Sequence, residues 1–216
     1  MAKRILKIAG ITLASILGVV VLALAGLIAY LSITEYKPED VQAADRLVQS
    51  GEGTAVGTSV TVYTWNMGYA GLGRDSDFFM DGGTMVDPPS QEIVETNMEG
   101  IREFLRQNDA DAWLIQEVDV NSARTEGMDQ FAALTDAVPG DGAFAYNYKC
   151  PFVPIPLPPM GRIEGGLATV TPHSIGDKRS ASACPVPLAG RCVPPTSSGV
   201  FWLPVWLWRE AIGSWC

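Results

Sequence analysis

A strand, a helix and a second strand follow one another within about 60 residues, behind a long uncharged leader. That order predicts an α/β or α+β layered domain carried on an N-terminal transmembrane helix. Three stretches make the prediction: Ile8–Ile33, which is 26 residues without a charge; the β-branched, aromatic run VTVYTW at 60–65; and the amphipathic stretch 90–108 leading into AWLIQEV at 112–118.

At about 1.5 Å per residue, the leader is longer as a helix than the roughly 30 Å hydrocarbon core of a bilayer. Lys3, Arg4 and Lys7 precede it, and the first acid of the chain is Glu35. This asymmetry predicts a cytoplasmic N-terminus with the remainder exported. Ala23-Leu24-Ala25 also fits a small-residue cleavage signal. The apolar run continues eight residues beyond it, which favours an uncleaved, single-pass anchor over residues 1–34. Tyr30 and Tyr36 fall near the outer interface, where amphipathic rings are favoured.

Residues 35–59 turn from acidic to Gly/Ser/Thr-rich and read as a short amphipathic piece followed by a tether. The strand at 60–65 stops at Asn66-Met67-Gly68, and a loop rich in Gly and Asp runs to about Pro89. From Ser90, a candidate N-cap, Ile93, Val94, Met98, Ile101, Phe104 and Leu105 recur at helical spacing. The apolar run 112–118 has the length of a buried strand, and 126–137 accommodates a second helix. In AFAYNYK at 143–149, alternation puts Phe144, Tyr146 and Tyr148 on one face and Asn147 and Lys149 on the other. Five prolines in 150–160 bar a central strand there, and 167–170 reads as another strand after Gly165-Gly166.

The chain has 216 residues, 15 basic and 24 acidic, with one His and four Cys. Without the three bases ahead of the leader, 12 bases face 24 acids. So acidic a surface repels phosphate backbones, and no stable nucleic-acid binding is expected. A single histidine excludes His-rich zinc sites, and no CxxC suggests a zinc knuckle. Cys184 and Cys192 are placed to pair in an oxidising compartment, a pairing that sequence leaves open. Asp75, Asp77 and Asp81 lack the twelfth-position Glu of an EF-hand and read as a solvated loop or a substrate rim.

The chemistry concentrates at two strand ends. Asn66 and Glu117 would meet at one sheet edge, where a carboxylate suits Mg²⁺ and a carboxamide orients a phosphate oxygen or a water. Mg²⁺ takes only one or two carboxylates, so a lone Glu with substrate phosphate makes a partial site. Arg124 either pairs with that carboxylate or grips substrate phosphate through its bidentate fork.

TWNMGYAGLG (64–73), LIQEVDVNSARTEGMDQ (114–130) and YNYKCPFVPIPLPPMGRIEGGLATVT (146–171) resemble the endonuclease/exonuclease/phosphatase superfamily. The likeness is to its bacterial membrane-anchored members, covers about residues 60–180, and extends to the anchor and the TEYKPED that follows it. It implies a DNase I-like β-sandwich flanked by helices that hydrolyses phosphodiesters or phosphomonoesters with a divalent cation, often Mg²⁺. It further implies Asn66 near the scissile phosphate and, in the metal set, Glu117 as principal ligand with Asn66 beside it. Family tyrosines on a strand comparable to 143–149 approach the phosphate. Tyr146, and Asn147 as a polar contact from the other face, therefore join Asn66 as catalytic candidates, with Arg124 as the substrate-binding one.

The family's later motifs are an Asp-x-Asn strand end and an Asp-His pair whose His activates water. Neither occurs after residue 180, and His173, beside Pro172, reads as a loop residue. Residues 181–216 have no period and hold four tryptophans in the last fifteen positions. Gly199–Cys216, reverse-translated and read two nucleotides out of phase, permits strand-like runs. The tail is therefore expected to be a frameshifted end, leaving the catalytic domain incomplete at its C-terminus and slow or inactive. The competing expectation is a non-catalytic membrane-anchored remnant or binding domain.

Overall fold

The computed structural model describes residues 2–38, 42–50 and 56–176, together with a short strand at 180–181. Helix α1 (Ala2–Ile33) buries none of its residues against the protein, although from Ile8 onward it is uncharged on every face. It is long and apolar enough to cross a membrane. The strands β1 (Gln42–Ala43) and β2 (Arg46–Val48) then occupy part of the stretch read as a tether. They are too short to leave a periodic signature and exist only because more distant strands pair with them.

The remaining elements follow as β3 (Val62–Asn66), α2 (Gln91–Gln107), β4 (Ala112–Asp119), α3 (Gln130–Ala137), β5 (Asp141–Val153), β6 (Gly161–Thr171) and β7 (Ser180–Ala181). The main sheet is five-stranded in the order β2-β5-β6-β4-β3, and β1 pairs separately with β7. Only β3 and β4 run parallel, so the sheet is mixed and the domain is α+β. The parallel pair needs a crossover, and α2 supplies it. Ser90 caps that helix, its Oγ accepting from the Ile93 N–H at 3.3 Å.

Val94, Met98, Ile101 and Leu105 form the buried stripe of α2. They pack on Trp113, Ile115, Val118, Phe144, Ala168 and Val170 of the sheet, with Phe131 and Leu134 of α3 completing the core. Tyr63 stacks on Trp113 at 4.6 Å between centroids, and the Phe104 ring closes edge-on over both. A Cβ on Gly166 would stand 2.2 Å from the Ala145 carbonyl oxygen and 2.6 Å from the Phe144 ring, so only glycine fits there.

Strand β5 departs from the sequence reading in two places. It runs past Lys149 through Pro151 to Val153, into the stretch whose prolines bar a central strand. Its pairing with β2 stops at Phe144, so the distal half is an edge, where a missing N–H costs little. The register with β6 also slips between Tyr146, opposite Gly166, and Tyr148, opposite Gly165. Asn147 is the extra residue of this bulge, and the simple alternation expected for 143–149 breaks there.

Candidate functional site

Because β3 and β4 are parallel and in register, Asn66 opposite Gln116, their C-terminal ends stop at the same sheet edge. Strand β4 bulges at this point. Ile115 faces Ala168 and Val118 faces Gly166, so Gln116 and Glu117 together oppose the single residue Leu167. Glu117 takes up the extra length with φ 55°, a left-handed conformation unfavourable for a side chain with a Cβ. Without the bulge, alternation would send its carboxylate toward the apolar face of Trp113 and Ile115. With it, Asn66 Nδ2 donates to Glu117 Oε1 at 2.8 Å. The Asn66 Oδ1 accepts from the Gly68 N–H at 2.9 Å, which fixes the orientation of the amide.

Strain continues into the next turn, where Gly68, Tyr69 and Ala70 have φ of 54°, 43° and 54°. At the two non-glycine residues, Tyr69 and Ala70, such backbone costs of order 1–3 kcal/mol each and persists where its surroundings over-determine it. Here Gln130 Nε2 donates to the Tyr69 carbonyl at 2.6 Å while Gln130 Oε1 accepts from the Asp119 N–H at 2.8 Å. Asn97 Nδ2 holds the Ala70 carbonyl at 2.9 Å.

The guanidinium of Arg124 lies over the Tyr69 ring, 3.5 Å from its centroid. Its Nε and Nη2 donate to the two carboxylate oxygens of Asp119 at 2.8 and 3.0 Å. Asp119 is fully buried, and the Arg124 side chain is 13% exposed. Gly165 makes room for the pair, since a Cβ there would stand 2.9 Å from Asp119 Oδ1. Burial works against the Arg124 charge, but the hydrogen bond and charge of Asp119 hold its pKa above the ordinary arginine value. Burial pushes the Tyr69 phenol up to about 12, so it is neutral at physiological pH. Asp87 joins from the loop before α2. Burial raises its carboxyl, opposed by Arg124, and its Oδ1 is enclosed with no hydrogen-bond partner among the described residues.

The structure therefore gathers Asn66, Glu117 and Arg124 in one neighbourhood, with the charge of Glu117 felt by Arg124 and Tyr69. The bidentate edge of Arg124 expected to meet phosphate is closed on Asp119, leaving Nη1 without a hydrogen bond among the described residues. Tyr146 lies level with this end of β4, opposite Gly166, which itself faces Val118, but among the described residues neither it nor Asn147 hydrogen-bonds Asn66, Glu117 or Arg124. Tyr146 directs its hydroxyl to Glu164 at 3.4 Å, with Lys149 Nζ 4.4 Å from its ring centroid, and its N–H donates to Asp45 at 2.9 Å. Asn147 is exposed on the bulge. The same bulge turns Tyr148 toward Arg124; burial raises its phenol pKa, Cys150 adds to the rise, and Arg124 opposes it. Sequence reading missed Tyr69, Asp87, Asp119 and the turning of Tyr148. Only Asp119, two residues past Glu117 and five before Arg124, left any trace in spacing.

Asp77 staples its loop, its Oδ2 accepting from the N–H and hydroxyl of Thr84 at 3.0 Å each. His173 Nε2 lies 2.7 Å from Asp111 Oδ1. This His–Asp pair sits where β4 begins, six residues before Glu117, or roughly 20 Å along the strand. The Thr61 N–H and His173 together hold the Asp111 carboxyl below its usual range. Among the described residues no group of three His, Cys, Asp or Glu side chains could hold a metal ion. Cys184, Cys192 and the tail from 182 lie outside the described residues. Compared with protein-family models, curated proteins and solved structures, the chain matches none of them.

Proposed function

We propose that this chain is the exported domain of a membrane-tethered, divalent-cation-dependent phosphoesterase resembling the endonuclease/exonuclease/phosphatase superfamily. In this reading the five-stranded sheet is one layer of a DNase I-like sandwich, and α1 is a single-pass anchor with a cytoplasmic N-terminus. The observation that carries it is the 2.8 Å contact of Asn66 with Glu117 across two parallel strand ends, held by strained backbone. Left-handed φ at a non-glycine residue is costly, and such strain clusters where geometry serves a site.

Glu117 offers Oε2, which has no hydrogen-bond partner among the described residues, while Asn66 fixes Oε1. That suits Mg²⁺, which binds through one or two carboxylates and keeps several waters. A cation there supplies charge stabilisation at a phosphoryl oxygen. Arg124, oriented by Asp119 and backed by Tyr69, donates from Nη1 to another oxygen of the same phosphate. Asn66 keeps the carboxylate in one rotamer, so binding costs less ordering. An acidic exported surface favours small or lipid phosphate esters over long polyanions.

A second reading, a phosphate- and cation-binding domain without turnover, has its own support. Water attack needs a proton acceptor, and the one histidine is paired with Asp111 at the opposite strand end. The test uses the full chain in detergent micelles, with Mg²⁺ or Mn²⁺ titrated while thermal unfolding and bis(p-nitrophenyl) phosphate hydrolysis are followed. For a dissociation constant of about 1 mM, about 10 mM cation adds ~1.4 kcal/mol, or about 3–5 °C. The rise should vanish in Glu117→Ala. Turnover lost with Glu117 supports the enzyme, a shift without turnover supports the second reading, and no cation-dependent shift overturns both.

A further inference from the structure

The turn between β5 and β6 is unusual in composition and exposure. From Cys150 to Gly161 it reads CPFVPIPLPPMG, twelve residues without a charge, with Lys149 immediately before and Arg162 immediately after. Ile155 is 71% exposed and Leu157 83% exposed at its tip. They alternate with prolines, so within 154–159 only these two residues carry a backbone N–H. With only two N–H donors, this backbone has few groups to desolvate at an interface; its carbonyls stay with the headgroups, and only the side chains enter the apolar layer. The base of the hairpin is fixed, because Met160, Ile163 and Val153 pack with Val86 and Phe79 in a small core of their own.

The direction of the tip follows from register. Strand β2 is antiparallel to β5, with Arg46 opposite Phe144, and Asp45 accepts from the Tyr146 N–H. Upstream again, the Tyr36 ring meets Tyr146 at 6.2 Å, and Thr34, Glu35 and Lys37 line a cleft with Lys149, Pro151 and Arg162. Going back along the chain toward α1 is thus going forward along β5 toward its tip. The hairpin and the C-terminal end of α1 lie on the same side of the domain.

We propose that Ile155 and Leu157 insert into the phospholipid leaflet from which α1 emerges, with Lys149 and Arg162 at the level of the headgroup phosphates. The inference rests on reading α1 as a membrane span. Lys149 Nζ is 4.0 Å from Glu164, and Arg162 gives Nε and Nη2 to Asn121, so Lys149 is only loosely paired and Arg162 Nη1 stays open to phosphate. Apolar side chains dip 5–10 Å into an interface in this manner, with cations above them in the headgroups. Two attachments, a helix and a hairpin, would hold the domain in one orientation to the bilayer.

The test places a benzophenone-bearing residue at position 157, or at position 60 as the control, in the full chain in phosphatidylethanolamine/phosphatidylglycerol vesicles. Val60 is 52% exposed where β3 begins, at the far end of the sheet from the hairpin. Irradiation should add lipid mass at 157 at least tenfold more often than at 60. If an alkaline carbonate wash releases the chain from vesicles, the span reading falls and this inference with it. If the chain is retained but 157 labels no more lipid than 60, the insertion alone is overturned.

Discussion

Removing the buried partner of Arg124 gives the sharpest test of how this edge is held. Asp119 is fully buried and receives two hydrogen bonds from a guanidinium that is itself only 13% exposed. Breaking a buried pair from one side costs roughly 3–5 kcal/mol, because the surviving charge stays uncompensated. In Asp119→Ala the survivor is Arg124, whose Nη1 edge can be rehydrated, so about 3 kcal/mol is expected. In Arg124→Ala the survivor is a carboxylate with no exposure, so the cost is nearer the upper end, about 4–5 kcal/mol. For a chain of this size these correspond to drops of about 6–12 °C and 8–20 °C. Arg124→Ala also strips a cation from the Tyr69 face, worth about 1 kcal/mol more. Because the residues act as a unit, the double variant Asp119→Leu/Arg124→Met should lose less than the two single alanine variants added together. Near-ultraviolet circular dichroism melts in micelles, with urea titrations to check that m is unchanged, read all of these. A drop under about 2 °C for Asp119→Ala, or strict additivity, would refute the argument that this pair orders the site.

Two further outcomes follow from the same geometry. Glu117→Gly removes the Cβ at φ 55° and should hold or raise the melting temperature by up to about 4 °C, while abolishing any cation-dependent shift. A clear loss of stability would show that the carboxylate is structural. The second concerns acid. Burial raises the Asp129 carboxyl, but the Arg46 hydrogen bond and the Ala132 N–H outweigh it and leave the pKa lowered. A lowered folded pKa means that the stabilisation is complete above the unfolded value near 3.8 and fades as pH falls through the folded value. Asp129→Asn, which keeps the α3 cap, should melt about 1–3 °C lower at pH 6, and the gap should narrow as the pH falls below the unfolded value of 3.8. A gap that is constant with pH would refute the assignment.

Local signals carried a good part of this molecule. Helix α1 follows from an uncharged run, α2 from its 3.6-residue stripe and Ser90, and the cores of β3, β4 and β6 from apolar runs of strand length. In each, the residues that form the element are also the ones whose pattern announces it. The Asn66–Glu117 meeting point was legible as well, since a strand-helix-strand unit with a parallel pair brings both strand ends to one edge. What sequence could not hold was register. One extra residue in β4 turns Glu117 out of the core, and one extra residue in β5 sends Tyr146 and Tyr148 to different neighbours. Side chains alternate with period two, so a one-residue slip reverses every face beyond it, and only the partner strand decides where the slip occurs. Arg124 shows the same limit: its fork was open to Glu117 or to phosphate in sequence, and the fold closed it on Asp119 because Gly165 left the space.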